Sequence, residues 1–435
     1  MRLLRHMLVW FGLVPLGAAA QTPAPYDLPR CVATALQQNA DVLIAQKRLE
    51  ETAGAIVEAR AGFLPRLTSN ATYEKLEADY AELAGASPQR RDLLWNVNVR
   101  LTETLFAGGA IRSRMAIARL RHDTRLHEYQ ATVDRVLLDV HLAYYEILRN
   151  QSALAVHQQA VNFLHEQVKN ERARLEVGTG QKLNVLRAEV NLALEQAALV
   201  DARNRLRNSD LRLGELLALP GTEPVTVTGE LAYQKFSTPL ADCLDRALTQ
   251  RPELIARDRE IAVQRKQLVV DRSELLPRVE LFAGYDVVSE PERAKSADHY
   301  HGYIAGVQVS WQLFDGFAAK GRLQATRARL GAAETALTAT RRAIEAEVVR
   351  AYRDLQKAEE NITTQTANVQ LATESLQLAT DNFGVGLTTQ LELLQSQLDL
   401  TRAQTAELAA RFDSNAALAR LHRAMGSRLN LAETP

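Results

Sequence analysis

The sequence predicts an α+β chain of 435 residues, built as two copies of one unit in which very long helices flank short paired strands. Three observations carry this. Proline is absent from residues 89–219 and from 292–434, leaving tracts of 131 and 143 residues in which nothing breaks a helix. The second half repeats the first at a shift of 205 to 212 residues. Between the helical tracts the apolar period drops from 3.6 to 2, as in strands with one apolar face.

The chain opens with Arg2, Arg5 and His6 before the apolar stretch Met7 to Leu16, and Ala18, Ala19 and Ala20 follow. This is the pattern of a signal peptide over residues 1–20, cleaved before Gln21. The first repeat then covers residues 21–228 and the second 229–435. Each runs helix, strand pair, long helix, tight turn, return helix. In the first repeat these are a short helix over 41–62, strands over 66–76 and 93–103, a long helix over 110–176 and a return helix over 182–219. In the second, the helix over 252–276 is opened by Pro252 at a favoured first-turn position. Strands over 278–288 and 300–313, a long helix over 317–383 and a return helix over 389–425 follow.

Residues 110–177 lack both proline and glycine, and at about 1.5 Å per residue they make a rod of roughly 100 Å. Val133, Val136, Leu137, Val140, Tyr144, Ile147 and Leu148 recur on it at three and four, the stripe of a helix packed against others. A short helix and a return helix together nearly match the long one, so the two are expected to stack end to end beside it.

Five segments carry the repeat. Cys31 to Asn39 answers Cys243 to Arg251, and Phe63-Leu-Pro-Arg-Leu67 answers Leu275-Leu-Pro-Arg-Val279, both shifted by 212. Leu105-Phe-Ala-Gly108 answers Leu313-Phe-Asp-Gly316, and Val177 to Leu186 answers Val385 to Leu394, both shifted by 208. Leu213 to Gly221 answers Leu418 to Gly426, shifted by 205.

In the strands, Leu67, Ser69, Ala71 and Tyr73 share one face, as do Trp95, Val97, Val99 and Leu101. Val279, Leu281, Ala283, Tyr285 and Val287, then Tyr303, Ala305, Val307, Val309 and Trp311, repeat the pattern. Each strand is close to the roughly 9 to 11 residues of a tilted membrane-spanning strand. Tyr73, Trp95, Tyr303 and Trp311 are placed as interfacial anchors. The opposite face carries Glu74, Arg100, Glu280 and Asp286, which suit a wet lumen. Four strands cannot close a barrel, and lipid tolerates no open edge, so a membrane location demands an oligomer: two chains supply eight strands, three supply twelve. The polar linkers over 77–91 and 289–298 become outer loops.

Composition excludes several classes. Lys+Arg 52 balance Asp+Glu 52, which argues against bulk nucleic-acid binding. Beyond residue 20 no apolar run approaches the roughly 18 residues of a spanning helix. Cys31 and Cys243 occupy equivalent places in the repeats and read as small buried fillers rather than a disulfide. No nucleophile motif is present, Val-Gly-Thr-Gly-Gln-Lys lacks phosphate-loop spacing and leaves Lys182 a surface charge, and His299-x-His301 has no third ligand nearby. The expectation is a non-enzyme with no catalytic, cofactor or metal site.

The repeat, the Leu-Pro-Arg strand entries, the Leu-Phe-x-Gly strand exits and the Val-Gly turns together resemble the TolC-like outer-membrane efflux protein family, over nearly all of the mature chain. The resemblance implies a homotrimer whose twelve strands form one outer-membrane β-barrel, continuing into a long α-helical periplasmic barrel. It implies the exit duct of a tripartite efflux pump or type I secretion system in the Gram-negative outer membrane. The partners implied are outer-membrane lipid, a periplasmic membrane-fusion adaptor and, through it, an inner-membrane transporter of the RND, ABC or MFS type. The adaptor-contact turns are then Val177, Gly178, Thr179 and Gly180, with Val385, Gly386, Leu387 and Thr388. Glycine permits a positive φ there, and the hydroxyl of Thr179 or Thr388 is expected to cap the following helix. The pore constriction falls on Glu392 and on Gln395, which departs from the family's acidic pattern. Three Glu392 side chains around an axis repel one another, raising the proton affinity of at least one. Thr388 stands where the family can carry an arginine, while Asn184 and Arg187 carry no acid, so the ring is threefold. The alternative is a periplasmic coiled-coil adaptor or structural protein without a pore.

Overall fold

The computed structural model describes residues 26–75, 93–221, 225–289 and 299–427; the signal segment 1–20 and the linkers over 77–91 and 290–298 lie outside the described residues. The elements run α1 Leu28–Gln38, α2 Ala40–Ala61, β1 Arg66–Lys75, β2 Leu93–Phe106, α3 Ala110–Glu176 and α4 Lys182–Leu216. The second copy runs α5 Leu240–Gln250, α6 Pro252–Ser273, β3 Arg278–Ser289, β4 His299–Ser310, α7 Ala318–Gly384 and α8 Gln390–Ala424.

Equivalent helices have equal lengths: 11 residues in α1 and α5, 22 in α2 and α6, 67 in α3 and α7, and 35 in α4 and α8. Each repeat thus carries one helix more than the sequence reading gave it. The extra helix earns its place by burying one stripe, in α1 Leu28, Cys31, Val32 and Ala35. The return helices also correct the repeat shift at their ends. Buried Leu213 and Leu217 answer Leu421 and Met425, and the positive-φ residue Ala218 answers Gly426, at 208 rather than 205.

Along α3 the short and return helices do stack end to end. Helix α2 lies beside its first half, where Arg135 pairs with Asp41 at 2.8 Å and His122 meets Thr52 at 2.9 Å. Helix α4 lies beside its second half, where His157 meets Glu195 at 2.6 Å and Arg172 pairs with Glu189. Helices α6 and α8 flank α7 in the same way, through Arg265–Glu334 and Thr366–Glu407. Helix α3 also packs on α6 and α8, which joins the repeats.

The cores sit where a short helix meets a return helix. The predicted stripe of α3 from Val136 to Leu148 closes with α1, Leu213, Leu217, Val225 and Val227; its counterpart gathers Cys243, Ile344, Val348, Leu421 and Met425. Cys31 and Cys243 are free, fully buried and in different cores, and burial pushes the Cys31 thiol up to about 12. A polar tie completes each junction. The Asn39 side-chain amide donates to Leu216 O at 2.9 Å, and the Arg251 guanidinium donates to Ala424 O at 3.2 Å, to Glu253 at 2.9 Å and to Glu347 at 3.1 Å.

The four strands form one antiparallel sheet in the order β1-β2-β3-β4. Among the described residues β1 pairs only with β2 and β4 only with β3, so both outer edges are open. No helix of the described residues is long and apolar enough to cross a membrane.

Candidate duct surfaces at the strands and the turns

The strand register turns four separate alternations into one continuous surface. Leu67, Leu101, Ala283 and Ala305 share a rung, as do Ser69, Val99, Tyr285 and Tyr303, then Ala71, Val97, Val287 and His301. A one-residue slip in any strand would send its apolar set to the wrong side. Among the described residues the apolar face is exposed, at Leu67, Val99, Tyr303, Val307 and Val309. Apolar area on this scale, left bare in water, signals contact with lipid or partner.

Tyr73 and Trp95 are register partners at the loop end of the sheet, while Trp311 lies just past β4 at the helix end, its indole N–H donating to Leu275 O at 3.1 Å. Tyr303 sits beside Tyr285, two same-face rungs in from Tyr73 and Trp95. On the opposite face Arg278 pairs with Glu280 at 2.6 Å, and Arg100 stacks on the ring of Phe282.

At the far end of the helices the two turns share a backbone, Gly178 and Gly386 having φ of 78° and 79°, which only glycine adopts without strain. They differ in how they close. In the first turn Arg174 O accepts from the N–H groups of Thr179 and Gly180, both at 2.9 Å, and from the Thr179 hydroxyl at 3.2 Å. Helix α4 consequently starts with no side-chain cap. In the second turn Thr389 caps α8, accepting from Glu392 N at 3.3 Å, while the Glu392 carboxylate accepts from Thr389 N at 3.0 Å. The Thr388 hydroxyl also donates to that carboxylate. The cap is therefore Thr389, and neither Thr179 nor Thr388 plays that part.

Within one chain the Thr388 and Thr389 donors hold the Glu392 carboxyl below its ordinary value. Gln395 is exposed and donates to Asp399 at 2.9 Å. With Glu392, Gln395 and Asp399 at successive turns, α8 carries one acidic face, of which the sequence reading missed Asp399. The two turns lie together, since Gln390 donates to Asn184 O at 3.0 Å and Arg174 sits over the ring of Phe383 at 4.5 Å. Val177, Val385 and Leu387 project from them, each more than 70% exposed.

Along the helices two further apolar stripes are largely exposed among the described residues. Leu183, Leu186, Val190 and Leu194 line one side of α4, and Leu371 and Leu378 recur at seven on α7. Each is about half exposed or more.

The profile of the outer membrane efflux protein family matches residues 31–219 and 243–427. The chain is 27% identical to protein CyaE of Bordetella pertussis over 312 residues, covering 69% of this chain and 62% of CyaE, so it spans less than two thirds of that relative. It is 23% identical to the outer membrane protein TolC of Vibrio cholerae over 317 residues, 72% of this chain and 70% of that one. Its fold matches the CmeC outer membrane channel of Campylobacter jejuni with a TM-score of 0.81 at 14% identity, over 94% of this chain and 87% of that one. The chain belongs to the outer membrane efflux protein family, and its place is the outer membrane, with a large periplasmic portion.

Proposed function

We propose that three copies of this chain form a passive exit duct that carries efflux or secretion cargo from a periplasmic adaptor and its inner-membrane transporter to the exterior. The observation that carries the reading is the sheet: four strands, one mainly apolar face, and two open edges that lipid does not tolerate. Pairing β4 of one copy with β1 of the next removes every edge when the ring closes. The uncovered stripes of α4 and α7 support the same assembly, because in a ring of copies each seeks an apolar partner that its own chain does not supply.

In this reading the turns at Val177–Gly180 and Val385–Thr388 receive the adaptor, and Val177, Val385 and Leu387 are its anchors. Glu392 and Gln395 narrow the entrance, and the capping bonds to Glu392 favour its ionised form. Tyr73, Trp95 and Trp311 contact the lipid boundary, with Tyr303 two rungs inside it on the lipid-facing side. Transport is energised by the partner transporter. The test is the mass of the detergent-extracted mature protein by native mass spectrometry. Three chains are expected; a stable monomer would overturn the duct and favour a pore-free periplasmic role.

A further inference from the structure

The lumen face of the sheet holds a cluster that the duct reading does not require. Arg100 on β2 places its guanidinium carbon 5.5 Å from the ring centroid of Phe282 on β3. The ring lies across Gly306 on β4, its register partner, where a Cβ would stand 3.0 Å from Phe282 Cζ. The register partner of Arg100 on β3 is Gly284, so no side chain stands beside the guanidinium there. Two glycines thus make room for one aromatic ring and one cation on this wall.

The surrounding charges leave this cation available. Glu280, nearest along β3 toward the helices, is engaged by Arg278 at 2.6 Å. Asp286, the register partner of Asn98, is the diagonal neighbour of Arg100 on the loop side, and Glu74 stands nearer the loops. Among the described residues no carboxylate lies within ion-pair distance of Arg100. A guanidinium over an aromatic face binds a flat anion by charge-assisted hydrogen bonds and stacking together.

We propose that Arg100 and Phe282, supported by Gly306 and Gly284, form a binding station for aromatic anions on the barrel lumen, repeated in each chain of the duct. The station rests on the trimeric reading above. It sits at the strand end, some 100 Å by helix length from the acidic face around Glu392.

The test is block of single channels in a planar bilayer at low salt, with a naphthalene trisulfonate added on the loop side and sulfate as the non-aromatic control. Wild type is expected to show voltage-dependent block by the aromatic anion. Arg100→Gln should weaken that block by about tenfold, the factor that about 1.4 kcal/mol represents. Phe282→Leu should weaken block by the aromatic probe and leave the sulfate response unchanged, and Arg100→Lys should keep the sulfate response while losing part of the aromatic one. Equal block in wild type and in a conducting Arg100→Gln channel would overturn the station and leave the duct standing. A wild-type protein that forms no channels would remove the duct and the station with it.

Discussion

The two repeats match helix for helix in length, yet they close the same junctions with different chemistry. Asn39 and Arg251 occupy one position, and each ties the start of a short helix to the last turn of a return helix, one by a neutral amide and one by a guanidinium held between Glu253 and Glu347. At the turns the first copy loads its bonds on the end of α3, through Arg174 O, while the second loads them on the start of α8, through Thr389 and Glu392. The lesson is that element length and apolar pattern are what the architecture demands, whereas any group able to satisfy a helix end serves at a junction. The second copy used that latitude to place a carboxylate at its turn.

The comparison predicts a ranked series of effects. The largest concerns the surface that both turns share. Leu387→Glu or Val177→Glu should each abolish dye efflux or secretion in cells and leave the trimer mass unchanged, because both side chains project into solvent and support nothing within the chain. Loss of the trimer would reassign the turns to folding.

Next come the junction ties. Arg251→Ala should cost about 2 kcal/mol, less than the penalty of a fully buried pair because Glu253 and Glu347 are about a third exposed, while Asn39→Ala should cost about 1 kcal/mol. Amide hydrogen exchange in the last turns of α8 and α4 measures both, and equal effects would erase the distinction drawn here.

A smaller effect separates the helix starts. Thr389→Ala should loosen the first turn of α8 by about 1 kcal/mol, whereas Gln181→Ala should leave α4 unchanged, since no side-chain cap is present to lose. The pH dependence has a definite sign. The carboxyl of Glu392 is depressed in the folded chain, so its stabilisation is present above the ordinary glutamate range and is lost as pH falls through the depressed value. Protection at the start of α8, measured against the intrinsic exchange rate at each pH, should therefore fall in acid, and Glu392→Gln should abolish that fall.

The smallest effect is expected at the end of α4. Ala218 holds φ at 54° where its counterpart is Gly426, so Ala218→Gly should stabilise that end by up to about 1 kcal/mol, read as slower local exchange.

Much of this architecture was legible in the residues. The proline-free tracts gave helices of the observed kind, and the alternation in each strand placed its apolar residues on the face that the register joins. The extra helices α1 and α5 were hidden inside a repeat match, although Leu28, Cys31, Val32 and Ala35 already follow helical spacing. The true cap was also readable: Thr389 is three residues before Glu392, the capping-box spacing, while Thr388 faces Leu391 at that distance. Asp399 escaped notice because Gln395 broke the acidic pattern one turn earlier. The stripes on α4 and α7 could not be assigned from sequence, since a buried and an uncovered apolar face read alike until the neighbours are placed.

The central claim is that the alternating strands enclose a lumen in lipid, and conductance of the purified mature protein in a planar lipid bilayer tests it most directly. The account predicts discrete channels from a protein whose mass in the same detergent is that of three chains. A water-soluble monomer that never conducts would contradict it, and would mean that the apolar face of the sheet meets a protein partner instead of lipid.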